Sequence, residues 1–462
     1  MIGNTAIILA AGAGIRMKSS VPKVLHRVCG RSMLEQVIRQ VELSGIKNVI
    51  VVVGYGAQEV IKACTHLDVK FVFQKEQLGT GHAVMQAASF IPEQGDVLIL
   101  CGDTPLISSK TILDFIKAHN QSNNDGTVLT ADLPDPFGYG RIVKDEKGNL
   151  QRIAEEKDAS DSEKKISEIN SGLFCFKADL LKTHLKRLNT NNAQGEYYIT
   201  DVIGLAASEG KKAGVFKIGD ADEIMGVNNR IQLALAEKIM QKRIVEKLML
   251  DGVTFIDPES AYIEDSVEIG LDTVIFPCVS LRGKTRIGKA CIIGQNSRIE
   301  QSEVGDLVEI QSSVIIKSSV GEQSTIGPFA YLRPGSIIGQ HVKIGDFVEV
   351  KNASIGNYSK ASHLSYIGDA EVGSYVNIGC GVVFVNYDGK KKQQSIILSG
   401  AFVGSNSNIV APVTIAENAY IAAGTTVTRD VPAGALCLGR VKEKHIEGWV
   451  ARKKLLRNQK ED

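Results

Sequence analysis

The feature that most constrains the fold is a six-residue repeat that runs from Tyr262 almost to the C-terminus. A period of six fits neither a free strand nor a helix, but it fits a solenoid whose faces are short strands joined by tight turns. We predict that the apolar residue of each repeat points inward and that small or polar residues form the corners. The repeated residues are Ile263, Ile269, Ile275, Leu281, Ile287, Ile293 and Ile299, then Val320, Ile326, Leu332, Ile338, Ile344 and Val350, and finally Ile397, Val403, Ile409, Ile415, Ile421 and Val427.

One segment, residues 386–395, interrupts the repeat with the sequence NYDGKKKQQS. Loops that leave a solenoid commonly carry function. A neutral insertion is the less favoured alternative. The two interpretations stay open at this point.

The first half of the chain has a different texture, in which short apolar runs alternate with helical patterns. Buried strands are predicted at residues 6–10, 49–53, 71–73 and 97–100, with helices at 33–43, 58–63 and 80–88 between them. This alternation predicts a parallel sheet covered on both faces. Residues 227–251 contain neither Gly nor Pro and repeat apolar residues at helical spacing, which predicts a connecting helix.

Charge and composition exclude several classes of partner. The 53 Lys and Arg nearly balance the 52 Asp and Glu, so no overall basic field exists to hold nucleic acid. No apolar run approaches the roughly 18 residues that a membrane span needs. The apolar start leads into a glycine loop and is interpreted as a buried strand, not a signal peptide. Eight scattered cysteines without a CxxC pair favour the cytoplasm.

The last residues, 440–462, are the one biased stretch, with eight Lys or Arg against four Asp or Glu. A solvated end and a segment that serves an anionic ligand are both compatible with this composition.

A glycine loop, LAAGAGIRM, follows the first predicted strand and is itself followed by PKVLH. A loop at this place in an α/β sheet lies where phosphates bind. It is not a dinucleotide fingerprint, because Met17 stands where the third Gly belongs, and it lacks the Gly-Lys-Ser/Thr of a Walker loop. Gly12 and Gly14 in a simple tight turn would explain the loop equally well.

Two further features suggest a nucleotide site. Asp103 follows the fourth predicted strand, at the edge where Mg²⁺ is held by carboxylates and substrate phosphates; a turn or helix-capping role is the alternative. Residues 74–80 join a strand to a helix through small side chains that would admit a flat ring.

With these motifs the chain resembles the bacterial bifunctional N-acetylglucosamine-1-phosphate uridyltransferase/glucosamine-1-phosphate acetyltransferase family. The resemblance covers nearly the whole chain. Its motifs occur in the same order as in the family and are followed by the hexapeptide repeats. It is carried by LAAGAGIRM, PKVLH, QKEQLGTGHAV, LCGDTPL, YGRI, EINSG, NNAQGEYYITD and GVNNR.

The resemblance implies an N-terminal domain that binds UTP and UDP-sugar with Mg²⁺. Arg16 and Lys23 would contact the nucleotide phosphates, and Asp103 and Asn228 would hold the metal. The nucleophile, a sugar phosphate, is already anionic, so the reaction needs charge neutralisation and alignment, not a strong base. The remaining implied binding residues are Leu9, Ala10, Ala11 and Gly12 for the nucleotide, Gln74, Gly79 and Thr80 for uracil, Cys101 and Gly102 beside Asp103, and Gly140, Glu155 and Asn170 (with Asn228) for the sugar.

Three positions depart from the family pattern. Ile15 stands where Thr is common, Cys101 where Tyr is common, and Cys380 where Ala is usual. The first two bear on nucleotide affinity more than on reaction type. A main-chain oxyanion donor at position 380 should survive the third exchange.

The resemblance also implies a left-handed parallel β-helix that forms homotrimers and acetylates an amino sugar. His363 would be the general base, since an imidazole suits removal of a proton from an amine near neutral pH. A structural role is the commoner one for a lone His. For the cations Arg333 and Lys351, pairing with neighbouring acidic residues is the alternative. The implied sugar-phosphate ligands are Arg333, Lys351, Tyr366 and Asn377, and the acetyl-CoA ligands are Cys380, Asn386, Tyr387, Ser405, Ala423 and Arg440.

The expected architecture is therefore a Rossmann-like uridyltransferase domain (1–227), a linker helix (228–251) and a β-helix acetyltransferase domain with a basic tail (252–462). The expected co-substrates are UTP and acetyl-CoA. Two alternatives are a nucleotidyltransferase whose β-helix is only a trimerisation scaffold, and a sugar-nucleotide-binding module without activity.

Overall fold

The computed structural model describes residues 4–458 and divides the chain into two compact units, one ending at Ile244 and one beginning at Val245. The point of division lies within a helix, α7. The first unit contains β1 (Thr5–Ala10), β2 (Arg27–Val28), β3 (Arg31–Ser32), α1 (Met33–Leu43), β4 (Asn48–Val53), α2 (Ala57–Ala63), β5 (Lys70–Phe73), α3 (Thr80–Gln86), β6 (Asp96–Cys101), α4 (Ser109–Gln121), β7 (Gly126–Asp132), β8 (Arg141–Lys144), β9 (Leu150–Ala154), β10 (Glu168–Lys177), α5 (Ala178–Leu185), α6 (Asp201–Ser208), β11 (Ala213–Lys217) and the start of α7 (Arg230–Leu250).

The central sheet has the strand order β11-β7-β10-β6-β1-β4-β5, with β8 and β9 extending from β10. The prediction of a parallel sheet is wrong in part, because β10 runs antiparallel to both β6 and β7. Between β7 and β10 lie the hairpin strands β8 and β9 and only a three-residue 3₁₀ turn. Without a crossover helix in that stretch, the chain returns in the antiparallel direction.

Both faces of this sheet are covered, as predicted. Along β1, Ala6 and Ile8 pack into one buried apolar cluster, and the alternate residue Ile7 packs into another. The prediction that residues 71–73 are buried is wrong, because β5 is the edge strand and Phe73 is 47% exposed.

The predicted connecting helix is confirmed, but it begins at Arg230 instead of residue 227. The reason is an N-terminal cap: the Asn229 side chain accepts from the Gln232 N–H at 2.9 Å, and the Gln232 side chain accepts from the Asn228 N–H at 2.7 Å. This reciprocal pair holds Asn228 just outside the helix, where its side-chain oxygen accepts from Lys23 and Arg16.

The second unit is built from short strands. These are β12 (Thr254–Phe255), β13 (Tyr262–Ile263), β14 (Glu268–Ile269), β15 (Val274–Ile275), β16 (Ser280–Arg282), β17 (Arg286–Ile287), β18 (Ile292–Ile293), β19 (Arg298–Glu300), β20 (Glu303–Val304), β21 (Glu309–Ile310), β22 (Val314–Ile316), β23 (Ser319–Val320), β24 (Thr325–Ile326), β25 (Tyr331–Leu332), β26 (Ile337–Ile338), β27 (Lys343–Asp346), β28 (Glu349–Lys351), β29 (Ser354–Ile355), β30 (Lys360–His363), β31 (Tyr366–Gly368), β32 (Ala370–Val372), β33 (Asn377–Ile378), β34 (Val383–Val385), β35 (Ser395–Ile397), β36 (Phe402–Val403), β37 (Asn408–Val410), β38 (Val413–Ile415), β39 (Tyr420–Ile421), β40 (Thr426–Val427) and β41 (Leu436–Cys437), followed by a helix, α8 (Trp449–Asn458).

These strands stack into the three parallel sheets of a left-handed β-helix, with every third strand hydrogen-bonded to the next along most of the stack. Face 1 runs from β12 through β15 to β41, face 2 from β13 through β16 to β40, and face 3 from β14 through β17 to β38. The predicted inward positions are confirmed: all the residues of the three repeat series are buried except Ile269, which is half-buried.

The corners differ from the prediction of small or polar residues. Phe329, Phe347 and Leu364 occupy the corner between faces 1 and 2, here called the first corner, with φ values of 59°, 57° and 46°. Their side chains point outward and are 58%, 57% and 60% exposed. Left-handed φ values disfavour residues with a side chain but do not forbid them, since the local clash of Cβ with the following carbonyl oxygen costs only about 1–2 kcal/mol per residue.

Among residues 4–458, no helix is both long enough and apolar enough to cross a bilayer.

Candidate functional site

The glycine loop leaves the carboxyl end of β1 beside the end of β6, where the Gly102 N–H donates to the Leu9 carbonyl at 2.9 Å. Ala10 and Ala11 are buried, whereas Gly12 faces open space. Gly14 adopts φ +61°, and a Cβ there would lie 2.5 Å from the Cβ of Lys23. A glycine is therefore required where the loop crosses the Lys23 segment.

Four of the predicted residues converge next to this loop. The Asn228 side-chain oxygen accepts from Lys23 Nζ at 2.7 Å and from the Arg16 guanidinium at 2.8 Å. Lys23 also forms an ion pair with Asp103. The Val227 N–H donates to the Asp103 carbonyl at 2.9 Å, which fixes Asn228 beside the carboxylate. A capping role for Asp103 is not observed, because the next helix, α4, is capped by Ser108.

The residues predicted to bind uracil lie together, but several of their polar groups are already engaged within the protein. Gln74 is 4% exposed, and its amide donates to the Gly79 carbonyl at 3.1 Å. A Cβ on Gly79 would lie 2.5 Å from the Tyr197 carbonyl, so this position is restricted to glycine by contact. The Thr80 hydroxyl already accepts the Ile199 N–H at 3.1 Å, which gives it a structural role in holding residues 197–199 over the strand-to-helix turn.

The predicted sugar residues form a second group on the antiparallel arm. The Asn170 N–H donates to the Gly140 carbonyl at 2.8 Å, and a Cβ on Gly140 would lie 3.5 Å from a Glu155 carboxylate oxygen. Burial raises the pKa of Glu155, although its carboxylate accepts the Thr200 hydroxyl at 2.9 Å. The sequence analysis missed Thr200, which falls within the NNAQGEYYITD motif.

The structure explains how the two N-terminal departures are tolerated. Ile15 is 85% exposed and makes the loop more apolar without entering the core. The Cys101 sulfur would lie 3.0 Å from a Cβ at Gly172, which has φ +78°. Burial raises the pKa of the Cys101 thiol to about 12, so at neutral pH it is an uncharged packing group.

In the β-helix, His363 ends strand β30 at the first corner, opposite Asp346 of the preceding coil. Its Nδ1 lies 2.6 Å from the Asp346 carboxylate, and the hydrogen bond with His363 lowers the pKa of Asp346. A carboxylate on Nδ1 fixes the tautomer and leaves Nε2 for the substrate. The imidazole is 56% exposed and so is accessible. The sequence analysis missed Asp346, which lies one coil (17 residues) upstream.

A polar network lies at the far edge of face 2. The Asn386 amide donates to the Tyr366 hydroxyl at 3.4 Å and also to the Asp369 carboxylate. Lys351 lies 3.9 Å from Asp369, and Arg333 pairs with Glu349 at 2.8 Å. Both cations thus have acidic neighbours, as the alternative interpretation anticipated, yet Arg333 and Glu349 are each more than a third exposed. Such pairs are weak and open readily for an anion.

Lys392, in the loop that interrupts the repeat, was missed by the sequence analysis. The neighbouring Lys351 lowers the pKa of Lys392. Two like charges held together favour an anion between them. The loop is ordered around Asp388, whose carboxylate accepts the Lys390 and Lys391 N–H groups at 2.7 and 2.6 Å. A functional role for this loop stays a prediction.

We expect Lys392→Ala to raise the KM for an amino-sugar phosphate roughly tenfold with little change in kcat, as for loss of one charge-assisted hydrogen bond. Steady-state acetylation kinetics at varied sugar phosphate would measure it. Lys391→Ala, one residue away on the same loop, is the control and should leave KM unchanged. An unchanged KM in both variants would remove Lys392 from the site.

The predicted acetyl-CoA residues continue along the first corner in the next three coils. The Cys380 carbonyl accepts the Asn406 N–H at 2.8 Å, and the Arg440 guanidinium donates to the Ala423 carbonyl at 3.1 Å. A Cβ on Gly379 would lie 2.6 Å from the Ser405 nitrogen, and one on Gly404 2.6 Å from the Ala423 nitrogen. Close stacking at Gly379 and Gly404 therefore lines up Cys380, Ser405 and Ala423.

Two predicted ligands stand apart from these groups. The Tyr387 hydroxyl donates to the Gly389 carbonyl of its own loop at 2.8 Å, and the side chain is 58% exposed. Asn377 lies on face 1 in β33, between Lys360 and Phe402 of the adjacent strands. Of the predicted basic tail, residues 459–462 lie outside the described residues.

Comparison with known proteins assigns both units. Residues 6–165 match the family described as the MobA-like NTP transferase domain, and residues 252–364 match the GMPPB C-terminal domain. A protein named bifunctional protein GlmU from Alkaliphilus metalliredigens is 56% identical over 97% of this chain and 98% of its own length. The chain belongs to the GlmU family. Proteins of the same name from Clostridioides difficile and Acetivibrio thermocellus are 54% and 51% identical, each over 99% of this chain and 98% or more of their own length.

The resemblance read from the motifs is thereby confirmed at the level of family, fold and bifunctional activity. In a GlmU chain, the two groups of candidate site residues, one on each unit, correspond to two activities. The alternatives of a β-helix that is only a scaffold and of a binding module without activity are not supported.

Proposed function

We infer that the chain acetylates glucosamine-1-phosphate with acetyl-CoA and then transfers uridylyl from UTP to the product, giving UDP-N-acetylglucosamine and pyrophosphate. One observation supports this inference. The chain is 56% identical to a bifunctional relative over 97% of its length, and it contains both clusters of candidate site residues. We assign uridylyl transfer to residues 1–227, a linking role to 228–251, and acetyl transfer to 252–462.

In the uridyltransferase site, a phosphate oxygen of N-acetylglucosamine-1-phosphate attacks the α-phosphorus of UTP, and the bond to pyrophosphate breaks. The backbone of residues 9–12, with Arg16 and Lys23, supports the nucleotide phosphates. Gln74 and Gly79 face the uracil, and Gly140, Glu155 and Asn170 hold the sugar. Alignment and neutralisation of charge supply the acceleration, so no base is required.

Mg²⁺ fits the Asp103 and Asn228 pair by chemistry. Lys23 contacts a carboxylate oxygen of one and the amide oxygen of the other, so both oxygens already face one positive charge. Hard oxygen donors of this kind, completed by substrate phosphates, are those that Mg²⁺ prefers. When bound, the ion would neutralise charge that develops on the phosphates.

In the acetyltransferase site, the nitrogen of the substrate amine attacks the thioester carbonyl, and His363 accepts a proton from that amine. The C–S bond then breaks, and the His363 imidazolium gives its proton to the departing sulfur, so that coenzyme A leaves as the thiol. Lys351, Arg333 and Lys392 neutralise the sugar phosphate, with Tyr366 and Asn377 on the sugar. The Cys380 N–H stabilises the oxyanion. Acetyl-CoA is held by Asn386, Tyr387, Ser405, Ala423 and Arg440. Direct transfer leaves no covalent role for the Cys380 thiol.

We propose a cytoplasmic homotrimer built through the β-helix. The cytoplasm supplies UTP and acetyl-CoA, and no disulfide joins the eight cysteines, all of which lie within residues 4–458. Phe329, Phe347 and Leu364 form an exposed apolar strip on the first corner, and the Phe329 and Phe347 rings stack at 5.4 Å. This strip adjoins His363, so neighbouring copies that cover it would complete the acetyl site.

We expect Phe347→Glu to convert trimer into monomer and to abolish acetylation while uridylyl transfer persists. A charge in an apolar interface is costly to bury without a partner. Light scattering coupled to gel filtration, with both assays, measures this. Ile337→Glu is the control, since Ile337 is 58% exposed on face 3 of a nearby coil. A trimeric, active Phe347→Glu protein would exclude this strip from the interface.

The function is tested by one incubation of protein with glucosamine-1-phosphate, acetyl-CoA, UTP and Mg²⁺, with products read by mass spectrometry. UDP-N-acetylglucosamine that requires both donors supports both sites and their order. Acetylated sugar phosphate without nucleotide sugar would count against the N-terminal assignment. Uridylylation of supplied N-acetylglucosamine-1-phosphate without acetylation would count against the C-terminal assignment.

A further inference from the structure

A buried cluster of three potential metal ligands lies in the first unit, away from Asp103. Asp96 begins β6, His119 is on α4, and Cys175 is on β10; one ligand atom from each lies within 4.8 Å of the others. Asp96 and Asp103 flank opposite ends of β6, so the cluster is at the amino end of the strand and the uridyltransferase site is at the carboxyl end.

The sheet register explains why these side chains meet. Cys175 pairs with Leu98 of β6 on one side and with Thr127 of β7 on the other. Asp96 is two residues from Leu98 and therefore points to the same face. The last turns of α4 cover that face and direct His119 toward it.

The His119 imidazole is 1% exposed, and its Nε2 makes no hydrogen bond within the described part of the chain. Its closest charged neighbour is an Asp96 oxygen at 3.6 Å, an ion-pair distance that is too long for a hydrogen bond. A buried ring nitrogen without a hydrogen bond is unfavourable. A spacing of 3.6 Å is instead close to the separation of roughly 3.5 Å between two light ligand atoms of one tetrahedral Zn²⁺ ion.

The opposite side of the ring is already organised as that of a metal ligand. His119 Nδ1 lies 2.7 Å from the Thr127 hydroxyl, which in turn accepts from the Asn124 amide at 3.0 Å. An imidazole that ligates a metal typically has its other nitrogen fixed in this way. Nearby Lys177 is paired with Asp125 at 3.0 Å.

We propose that Asp96, His119 and Cys175 bind one Zn²⁺ ion, which links β6, α4 and β10 in a structural role separate from catalysis. Carboxylate, imidazole and thiolate are a ligand set that zinc accepts, with a water molecule in the fourth position. Asp96 is 14% exposed, which gives that position access to solvent. Burial raises the pKa of the Cys175 thiol well above its usual value, so zinc binding must release the thiol proton.

The test uses Co²⁺ as the spectroscopic probe in the full-length protein after removal of metals by a chelator. We expect one equivalent of Co²⁺ to produce a thiolate-to-cobalt charge-transfer band, which one equivalent of Zn²⁺ removes. Cys175→Ala should abolish the band, and Thr127→Val should weaken Co²⁺ binding about 10- to 100-fold, as for loss of a hydrogen bond behind a metal ligand.

Two cysteine variants are controls. Cys64→Ala removes another buried thiol and should leave the band unchanged. Cys101→Ala tests whether cobalt at Asp103 produces the signal through the nearby thiol. Circular dichroism would verify that Cys175→Ala is folded. Absence of a band in the unmodified protein, its survival in Cys175→Ala, or its loss in Cys101→Ala would each overturn the proposal; in the first case Asp96 and His119 form a simple buried pair.

Discussion

Replacement of His363 by Ala is expected to lower the acetyltransferase kcat about 10²- to 10⁴-fold, the usual range for loss of a general base. The amine of glucosamine-1-phosphate must lose a proton to attack the thioester, and His363 is accessible with its Nδ1 held at 2.6 Å by Asp346. Uridylyl transfer from supplied N-acetylglucosamine-1-phosphate should be unchanged, because the residues assigned to that reaction are on the other unit. Release of coenzyme A thiol and of pyrophosphate measures the two activities separately.

His341 provides the matched control for this experiment. It lies at a turn of the β-helix, where its ring stacks on Tyr358 at 4.5 Å. His341→Ala removes an exposed imidazole from the same unit and should retain acetylation. If His363→Ala kept its acetyltransferase kcat, the base would have to be sought elsewhere, and the β-helix site as assigned would be wrong.

The interior of the β-helix was predictable because one rule determines it. Side-chain direction alternates along a strand, so an apolar residue at every sixth position marks the inward site of each face. Ile344 and Ile409, in different coils, are both fully buried as that rule requires. The first corner was not predictable from the same rule, since Phe347 and Leu364 occupy turns where small residues are expected. The fold tolerates the local cost of a left-handed φ at these residues, about 1–2 kcal/mol each.

The direction of β10 was likewise beyond the sequence pattern. This strand was not among the predicted ones, although its Phe174 and Phe176 are fully buried. Burial is the same in parallel and antiparallel neighbours, however. The deciding factor is the connection, and a hairpin in place of a crossover helix allows only the antiparallel arrangement.

In the candidate sites, residues close in sequence to a motif were predictable, and partners fixed by the fold were not. Lys23 and Asp103 belong to conspicuous motifs, and the structure brings them into contact. Asp346 is recognised only from the strand register that places it opposite His363. Coil lengths vary: Asp346 and His363 are 17 residues apart, not the 18 of three six-residue repeats, so counting residues does not identify the partner in advance. Lys392 depends in the same way on how its loop folds back toward Lys351.

Asp103→Asn is expected to lower the uridyltransferase kcat by about 10³-fold or more while acetylation is retained. The substitution keeps the side-chain shape but removes the charge that pairs with Lys23 and would hold Mg²⁺, and electrostatic stabilisation of this kind dominates phosphoryl transfer. Because the freed Lys23 can still pair with a UTP phosphate, the KM for UTP should change little. Pyrophosphate release at saturating UTP and varied Mg²⁺ measures both effects. Asp132→Asn is the control, since Asp132 ends the nearby strand β7 but pairs with Lys217. Wild-type kcat in a folded Asp103→Asn protein would exclude this carboxylate from catalysis; equal losses in both variants would indicate damage to the sheet instead.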